Sequence, residues 1–267
     1  MDDNKLSAWQ ITMLALGTII GGSFFLGTSI AIKAAGPSVL ISFIIGGLLV
    51  YIILYSLSEM SVADPAPGSF RTYAENMFGP MVGFIVGWVY WTVLVLAMSS
   101  EVIAASIFIK KWIPQISAPV LGAAIIIGVT LINMLGIDKL SKLESGLAAV
   151  KLLAVIGFIV IGLVLIFGIT PQQSPVGMGA LTHELIFPGG ISGIAGSMLI
   201  IMFTYAGFEI TGLAASEAKD PQHTIPRAIT YTVVSLVGLY LIAIGLILPL
   251  IPTEALSQDI SPMVAAL

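Results

Sequence analysis

The sequence predicts an all-α protein embedded in a membrane, and three observations carry that prediction. First, 58% of the 267 residues are hydrophobic and 9% are charged, against about 25% charged in soluble domains. Second, the mean hydropathy is +1.08, more apolar surface than a soluble fold of this length can bury. Third, apolar runs of about 20 residues recur, each long enough to cross ~30 Å of hydrocarbon as a helix. A β-barrel would need spans of about ten residues with alternating polarity, and these runs are continuous.

Seven spans are expected, at residues 9–34, 38–60, 81–109, 119–137, 144–168, 191–215 and 229–251. Turn and charge signals separate them: Ala35-Gly36-Pro37, Asp64-Pro65-Ala66-Pro67-Gly68, and residues 114–119, 138–145, 170–190 and 217–227. The start, Met1-Asp2-Asp3-Asn4-Lys5, is acidic where a secretory signal is basic, so the first span is expected to remain in the protein. With the N-terminus in the cytoplasm, the inside segments hold Lys5, Arg71, Lys139, Lys142, Lys219 and Arg227. The outside segments then hold Lys33, Lys110 and Lys111. That excess predicts a cytoplasmic N-terminus; the expected location of this multi-pass chain is the plasma (inner) membrane.

The first and sixth spans carry local defects. The first reads Gly17-Thr18-Ile19-Ile20-Gly21-Gly22-Ser23-Phe24-Phe25-Leu26-Gly27, and the sixth Phe203-Thr204-Tyr205-Ala206-Gly207-Phe208-Glu209. Adjacent glycines and polar groups at mid-depth weaken a helix. Small residues in one such stretch are explained by close helix packing. Two stretches five spans apart are the pattern of an inverted repeat whose broken helices form a substrate site. Unwinding frees N–H and C=O groups that are costly in lipid. A zwitterion satisfies both: its carboxylate takes amides at a half-helix N-terminus, and its ammonium takes carbonyls.

These residues also carry a resemblance. The stretch from Gly17 to Gly27 is similar to the glycine-rich first helix of the amino acid–polyamine–organocation superfamily, most closely its bacterial amino-acid permeases. Further matching motifs are Ser58-Glu59-Met60, Pro67-Gly68-Ser69-Phe70, Tyr73-Ala74 and Gly87-Trp88. Phe203 to Glu209, Glu217-Ala218-Lys219-Asp220-Pro221 and Ile225-Pro226-Arg227-Ala228-Ile229 complete the set. The resemblance covers essentially the whole chain. It implies a LeuT-type inverted-repeat fold with helices one and six broken. Residues 1–168 would form the first five-helix repeat, and residues 191–267 the start of the second. The family pattern runs to about twelve spans, so the chain resembles a permease truncated after seven. Ile260-Ser261-Pro262-Met263 would be the external loop before an eighth. Transport is then expected to need a complementing C-terminal segment.

The resemblance also implies site residues. The substrate carboxylate would meet the amides of Gly22 and Ser23, and the ammonium the carbonyls of Ile19, Phe203 and Ala206. Phe203 would close over the substrate, and Gly21 and Gly207 belong to the same set. Relatives usually have glycine where this chain has Ser23, so its hydroxyl adds a contact or crowds the ligand. Lys151 lies about eight residues into the fifth span, ~12 Å along a helix. It either snorkels to the interface or gains and loses a proton inside the protein; a charged lysine at the centre costs at least ~3 kcal/mol. In bacterial relatives a lysine at the matching position is associated with proton coupling. Glu101 and Glu209 are intramembrane carboxylates, candidates for gating or for a structural role. Glu59 and Glu217 are read as interfacial. Trp88, Tyr90 and Trp91 are read as packing or an interfacial belt.

The implied function is secondary active transport of amino acids, by proton symport, with exchange by the same fold, or a truncated permease that does not transport, as the alternatives. The implied partners are an amino acid, a proton and the lipid bilayer; no cofactor is implied. A net charge of −4 argues against nucleic acid. The absence of cysteine excludes thiolate metal sites and cysteine nucleophiles. His183 and His223 fall in polar connections, and no metal site or His-Glu-x-x-His motif exists. No catalytic constellation is apparent, so an enzyme is not expected. A seven-helix receptor-like protein is the reading from a different class. Its retinal-binding form would need a Schiff-base lysine in the last span, and residues 229–251 hold none.

Overall fold

The computed structural model describes residues 5–64, 70–134, 137–169, 174–213, 217–257 and 260–267; for 137–145 and 212–213 it describes the backbone alone. The turn residues 65–68, the Pro67-Gly68-Ser69 motif, part of the 170–190 connection and the side chains of Lys139 and Lys142 lie outside the described residues.

The described residues are helical, without a strand, and hold one isolated parallel bridge between Leu6 and Ala218. Helix α1, Ala8–Ile19, starts in a capping box: the Ser7 hydroxyl accepts the Gln10 amide, and the Gln10 side chain accepts the Ser7 amide. A π turn at Ser23–Gly27 leads into α2, Thr28–Ala35. Gly36, with φ +59° and Pro37 behind it, ends α2, and α3 runs over Val39–Ala63. Helix α4 is Phe70–Phe78, α5 Pro80–Trp112 and α6 Ala118–Asn133. Then come α7, Ile137–Phe167, α8, Gly190–Thr204, and the single turn α9, Ile210–Leu213. The chain closes with α10, Pro221–Leu250, and the single turn α11, Pro262–Ala265.

Among the described residues, four helical runs are long and apolar enough to cross a membrane: Ser23–Ala63, Pro80–Trp112, Gly146–Phe167 and Pro221–Leu250. Three shorter apolar helices, α1, α6 and α8, accompany them. This is the architecture of an integral membrane protein.

Two helix starts and one additional helix differ from expectation. Helix α7 begins at Ile137 rather than 144, because Ile137 to Glu144 contains no glycine or proline and is rich in helix formers. Helix α10 begins at Pro221 rather than 229. Asp220 adopts φ 47° and Pro221 occupies the first helical position, a pre-organised start. Pro226 falls inside the helix, where its lost hydrogen bond is confined to one position. Helix α4 was not expected. It is polar, carries an Arg71–Glu75 ion pair of 2.9 Å one turn apart, and packs on α5 over Gly83 and Gly87. Gly79, at φ +91°, turns the chain from α4 into Pro80 of α5.

Helix α10 is the centre of the core, packed on α1, α3 and α7, while α8 packs on α2 and α3. The α8 seam uses small residues at every fourth position, Gly189, Gly193 and Ser197. A Cβ on Gly193 would lie 2.5 Å from the Ala34 carbonyl oxygen, so α8 and α2 approach almost backbone to backbone. Ser197 donates to the Ser42 hydroxyl at 2.7 Å, joining α8 to α3. Beside this seam the Phe24 ring of the π turn stacks on Tyr240 of α10, centroids 3.9 Å apart. By contrast α5 is largely exposed; Trp88 and Trp91 lie on its surface, edge to face at 5.4 Å.

The N-terminal segment is tied to the connection before α10. The Leu6 amide donates to the Glu217 carbonyl at 2.8 Å, and the Lys219 amide donates to the Leu6 carbonyl at 2.9 Å.

Candidate functional site

The site is built where two helices stop. Helix α1 ends at Ile19, and Ile20 is extended (φ −70°, ψ 104°). Gly21 and Gly22 follow, and the chain resumes as the π turn. The Gly21 carbonyl accepts the amides of Phe24 and Phe25 at 3.1 and 3.3 Å. The amides of Gly22 and Ser23 instead point at α5. They donate to the two oxygens of Glu101, Gly22 to Oε2 at 2.7 Å and Ser23 to Oε1 at 3.3 Å. Such charge-assisted bonds are about twice as strong as neutral ones. Glycine is required by the close approach: a Cβ on Gly21 would lie 2.7 Å from Glu101 Oε1, and one on Gly22 2.7 Å from the Ala104 methyl.

Helix α8 stops at Thr204, and residues 205–209 form a turn. Gly207 sits at φ +96°, a region L side chains rarely adopt. Its amide donates to Glu209 Oε2 at 3.1 Å, and Glu209 Oε1 accepts the Tyr90 hydroxyl at 3.2 Å. Glu209 therefore ties the turn to α5. The Phe203 carbonyl accepts the Ala206 amide at 3.2 Å. Two buried tyrosines satisfy further backbone groups here. Tyr205 donates to the Phe43 carbonyl at 2.9 Å, and Tyr240 to the Thr204 carbonyl at 3.4 Å. Gly207→Val is expected to destabilise the protein by about 1–3 kcal/mol through backbone strain alone. A drop in thermal unfolding temperature of the detergent-solubilised protein checks this.

The two interruptions meet. A Cβ on Gly207 would touch Thr18 Cγ2 at 3.4 Å and Ile19 Cα at 3.7 Å. Lys151 reaches the same region from α7, its Nζ donating to the Gly17 carbonyl at 3.0 Å. In a continuous helix that carbonyl would bond the Gly21 amide; α1 ends too soon for it to do so. Helix α7 comes this close because a Cβ on Gly17 would lie 2.4 Å from the Ala148 methyl.

A cavity of about 230 Å³ opens beside the first interruption. Gly22, Ser23 and Phe203, all expected site residues, line it together with Ser100, Ile103 and Ala104 of α5. Ile19, Gly21, Ala206 and Gly207 are not in its wall. Sequence reasoning missed the α5 wall. Ser100, Ile103, Ala104 and Ile107 recur at helical spacing on one face, but apolar residues occupy most positions of this span, so the spacing gives no distinguishing signal. It also missed that Glu101 and the Gly22–Ser23 amides form one cluster. Of the two histidines, His223 is exposed and pairs with Asp220 at 2.9 Å, and His183 is exposed.

Comparison with known proteins supplies the family. The chain is 37% identical over 246 residues to a probable GABA permease of Pseudomonas aeruginosa, covering 91% of this chain and 52% of that protein. It is 36% identical over 248 residues to the gamma-aminobutyric acid permease of Escherichia coli (92% and 53%). It is 35% identical over 255 residues to the aromatic amino acid transport protein AroP of Corynebacterium glutamicum (93% and 54%). The chain thus spans about half the length of these relatives. These are transport proteins and not enzymes, and with the long apolar helices they make this a multi-pass membrane protein. The amino acid permease family model matches residues 10–267, and the chain belongs to that family.

Proposed function

We propose that the chain forms the substrate-binding part of a secondary active transporter that carries amino acids across the plasma membrane by proton symport, its N-terminus in the cytoplasm. The observation that carries this reading is the Gly22–Ser23 amide pair, which already holds a carboxylate at 2.7 and 3.3 Å beside a cavity that Phe203 helps to line. A bound amino acid would place its own carboxylate on those amides. Its ammonium would meet carbonyls of Ile19, Phe203 and Ala206, next to Gly21 and Gly207. The fold proposed is the LeuT-type inverted repeat, residues 1–168 forming the first repeat and 191–267 the start of the second, completed by a complementing C-terminal segment.

Lys151 is the proposed proton carrier. Its amine bonds a carbonyl of α1 next to the interruption, so a change in its charge acts directly on the substrate-binding helix. Glu209 holds the second interruption in shape.

The test is uptake into proteoliposomes by the chain together with its complementing segment. γ-Aminobutyric acid and aromatic amino acids, the substrates in the relatives' names, are the first to try. Saturable uptake that rises with an inward proton gradient is expected. Uptake that requires an internal amino acid and ignores the gradient would replace symport by exchange. Absence of any amino-acid uptake or binding would overturn the reading.

A further inference from the structure

We infer that Glu101 is an internal stand-in for the substrate carboxylate, a side chain that holds the substrate's anchoring point until an amino acid displaces it. This rests on the proposal that the Gly22–Ser23 amides are that anchoring point. Both donors are directed at the same carboxylate, one to each oxygen. The chemistry Glu101 presents there is the chemistry a substrate carboxylate would present: one planar anion bridging two neighbouring amides at an interrupted helix. The two anions compete for one pair of donors.

The surroundings favour displacement over simultaneous binding. Gly21 and Gly22 leave no gap under Glu101, since an added carbon would lie 2.7 Å from Oε1 at Gly21 and 2.9 Å from Oε2 at Gly22. A second carboxylate therefore has no room on the amides while Glu101 is there. The cavity that would admit it is next door, walled by Gly22, Ser23 and Ala104, the last one turn along α5 from Glu101. No ion pair to Glu101 occurs among the described residues, so the two amides are its charge-stabilising partners there.

The consequence is a filter for chemical class. A substrate with a carboxylate replaces what Glu101 gave the amides and regains the bonds it breaks. An amine of the same shape without a carboxylate leaves Glu101 in place and gains nothing at Gly22 and Ser23. Glu101 thereby sets a requirement for an amino acid over its decarboxylated amine, and lowers affinity for every amino acid by the cost of its own displacement.

The experiment measures amino-acid binding by the detergent-purified complete transporter, unsubstituted and as Glu101→Gln and Glu101→Ala. Elution volume and thermal unfolding are recorded for each. Both variants are expected to bind the amino acid more tightly, by about tenfold or more for alanine and less for glutamine, because charge-assisted bonds no longer have to be broken first. Weaker or unchanged binding by folded variants overturns the inference, and weaker binding would make Glu101 a direct ligand of the ammonium. Should the variants misfold, difference infrared spectroscopy on unsubstituted protein carrying 13C in its glutamate carboxylates decides. Amino-acid binding must perturb a glutamate carboxylate band, and binding without such a band overturns the inference. If the unsubstituted transporter binds no amino acid at all, the transport reading fails with it; if it binds and neither variant tightens, only the role of Glu101 fails.

Discussion

In a complete transporter working by the proposed symport, Lys151→Gln is expected to remove the proton-gradient dependence of uptake while downhill amino-acid entry continues. One proton per substrate moving down a gradient of one pH unit supplies about 1.4 kcal/mol, roughly a tenfold accumulation. The variant is expected to lose that factor entirely. The reason lies in a single contact. Lys151 Nζ donates to the Gly17 carbonyl at 3.0 Å, and Gly17 stands two residues before α1 stops. A neutral amide at position 151 holds no exchangeable charge against that carbonyl. Lys151→Arg separates proton carriage from support of the helix. Arginine keeps a donor in reach of α1 but stays charged at all working pH values. It should preserve thermal stability and still lack coupling. The check is radiolabelled uptake into proteoliposomes at equal and at unequal internal and external pH. Gradient-driven accumulation by the glutamine variant would sink the assignment.

The largest effect on stability is expected at Gly193. A leucine there must displace the main chain of α2, because the first added carbon already lies 2.5 Å from the Ala34 carbonyl and 3.4 Å from the Ala35 Cα. No side chain can rotate out of the way. The seam would open, the Ser197–Ser42 hydrogen bond would lengthen, and the cost is about 3 kcal/mol or more. Gly193→Ala should cost about 1–2 kcal/mol on the same argument. The fraction of monodisperse protein surviving a heating series in detergent measures both. A leucine variant as stable as the parent would mean that α8 and α2 lie farther apart than described.

The contrast between these sites explains what was legible in the sequence. Long apolar runs follow from the cost of placing polar side chains in lipid, so the four long apolar helical runs were legible from hydropathy. Gly21, Gly22 and Gly207 stood out because glycine is costly within a helix unless geometry requires it, and each has a geometric reason: close approach to α5 at Gly21 and Gly22, a positive φ at Gly207. The pairings did not stand out. Glu101 meets Gly22 across 79 positions, and Tyr90 meets Glu209 across 119; one sequence carries no signal for contacts set by tertiary packing. Helix α4 was missed for the opposite reason. Its charge and short length gave no span signal, and its stability comes from lying on Gly83 and Gly87 of α5. The Gly189-x-x-x-Gly193 seam consists of small residues one turn apart, but Gly189 falls in the expected 170–190 connection, outside the sixth span, so the pair does not stand out as one helix face.

The bridge between Leu6 and the Glu217–Lys219 segment is made by main-chain atoms on both sides. Its two bonds do not depend on which side chains stand at those positions. Exposed Glu217 and Lys219 are therefore free to change in charge and size while the tether persists, whereas Leu6 and the fully buried Ala218 remain bound by the core they pack on; proline at position 6 or 219 is the replacement that removes a donor outright. A fastening of this kind is insulated from mutational drift on its exposed side: the residues facing water can diverge in composition and the two segments still be sewn together at the same place.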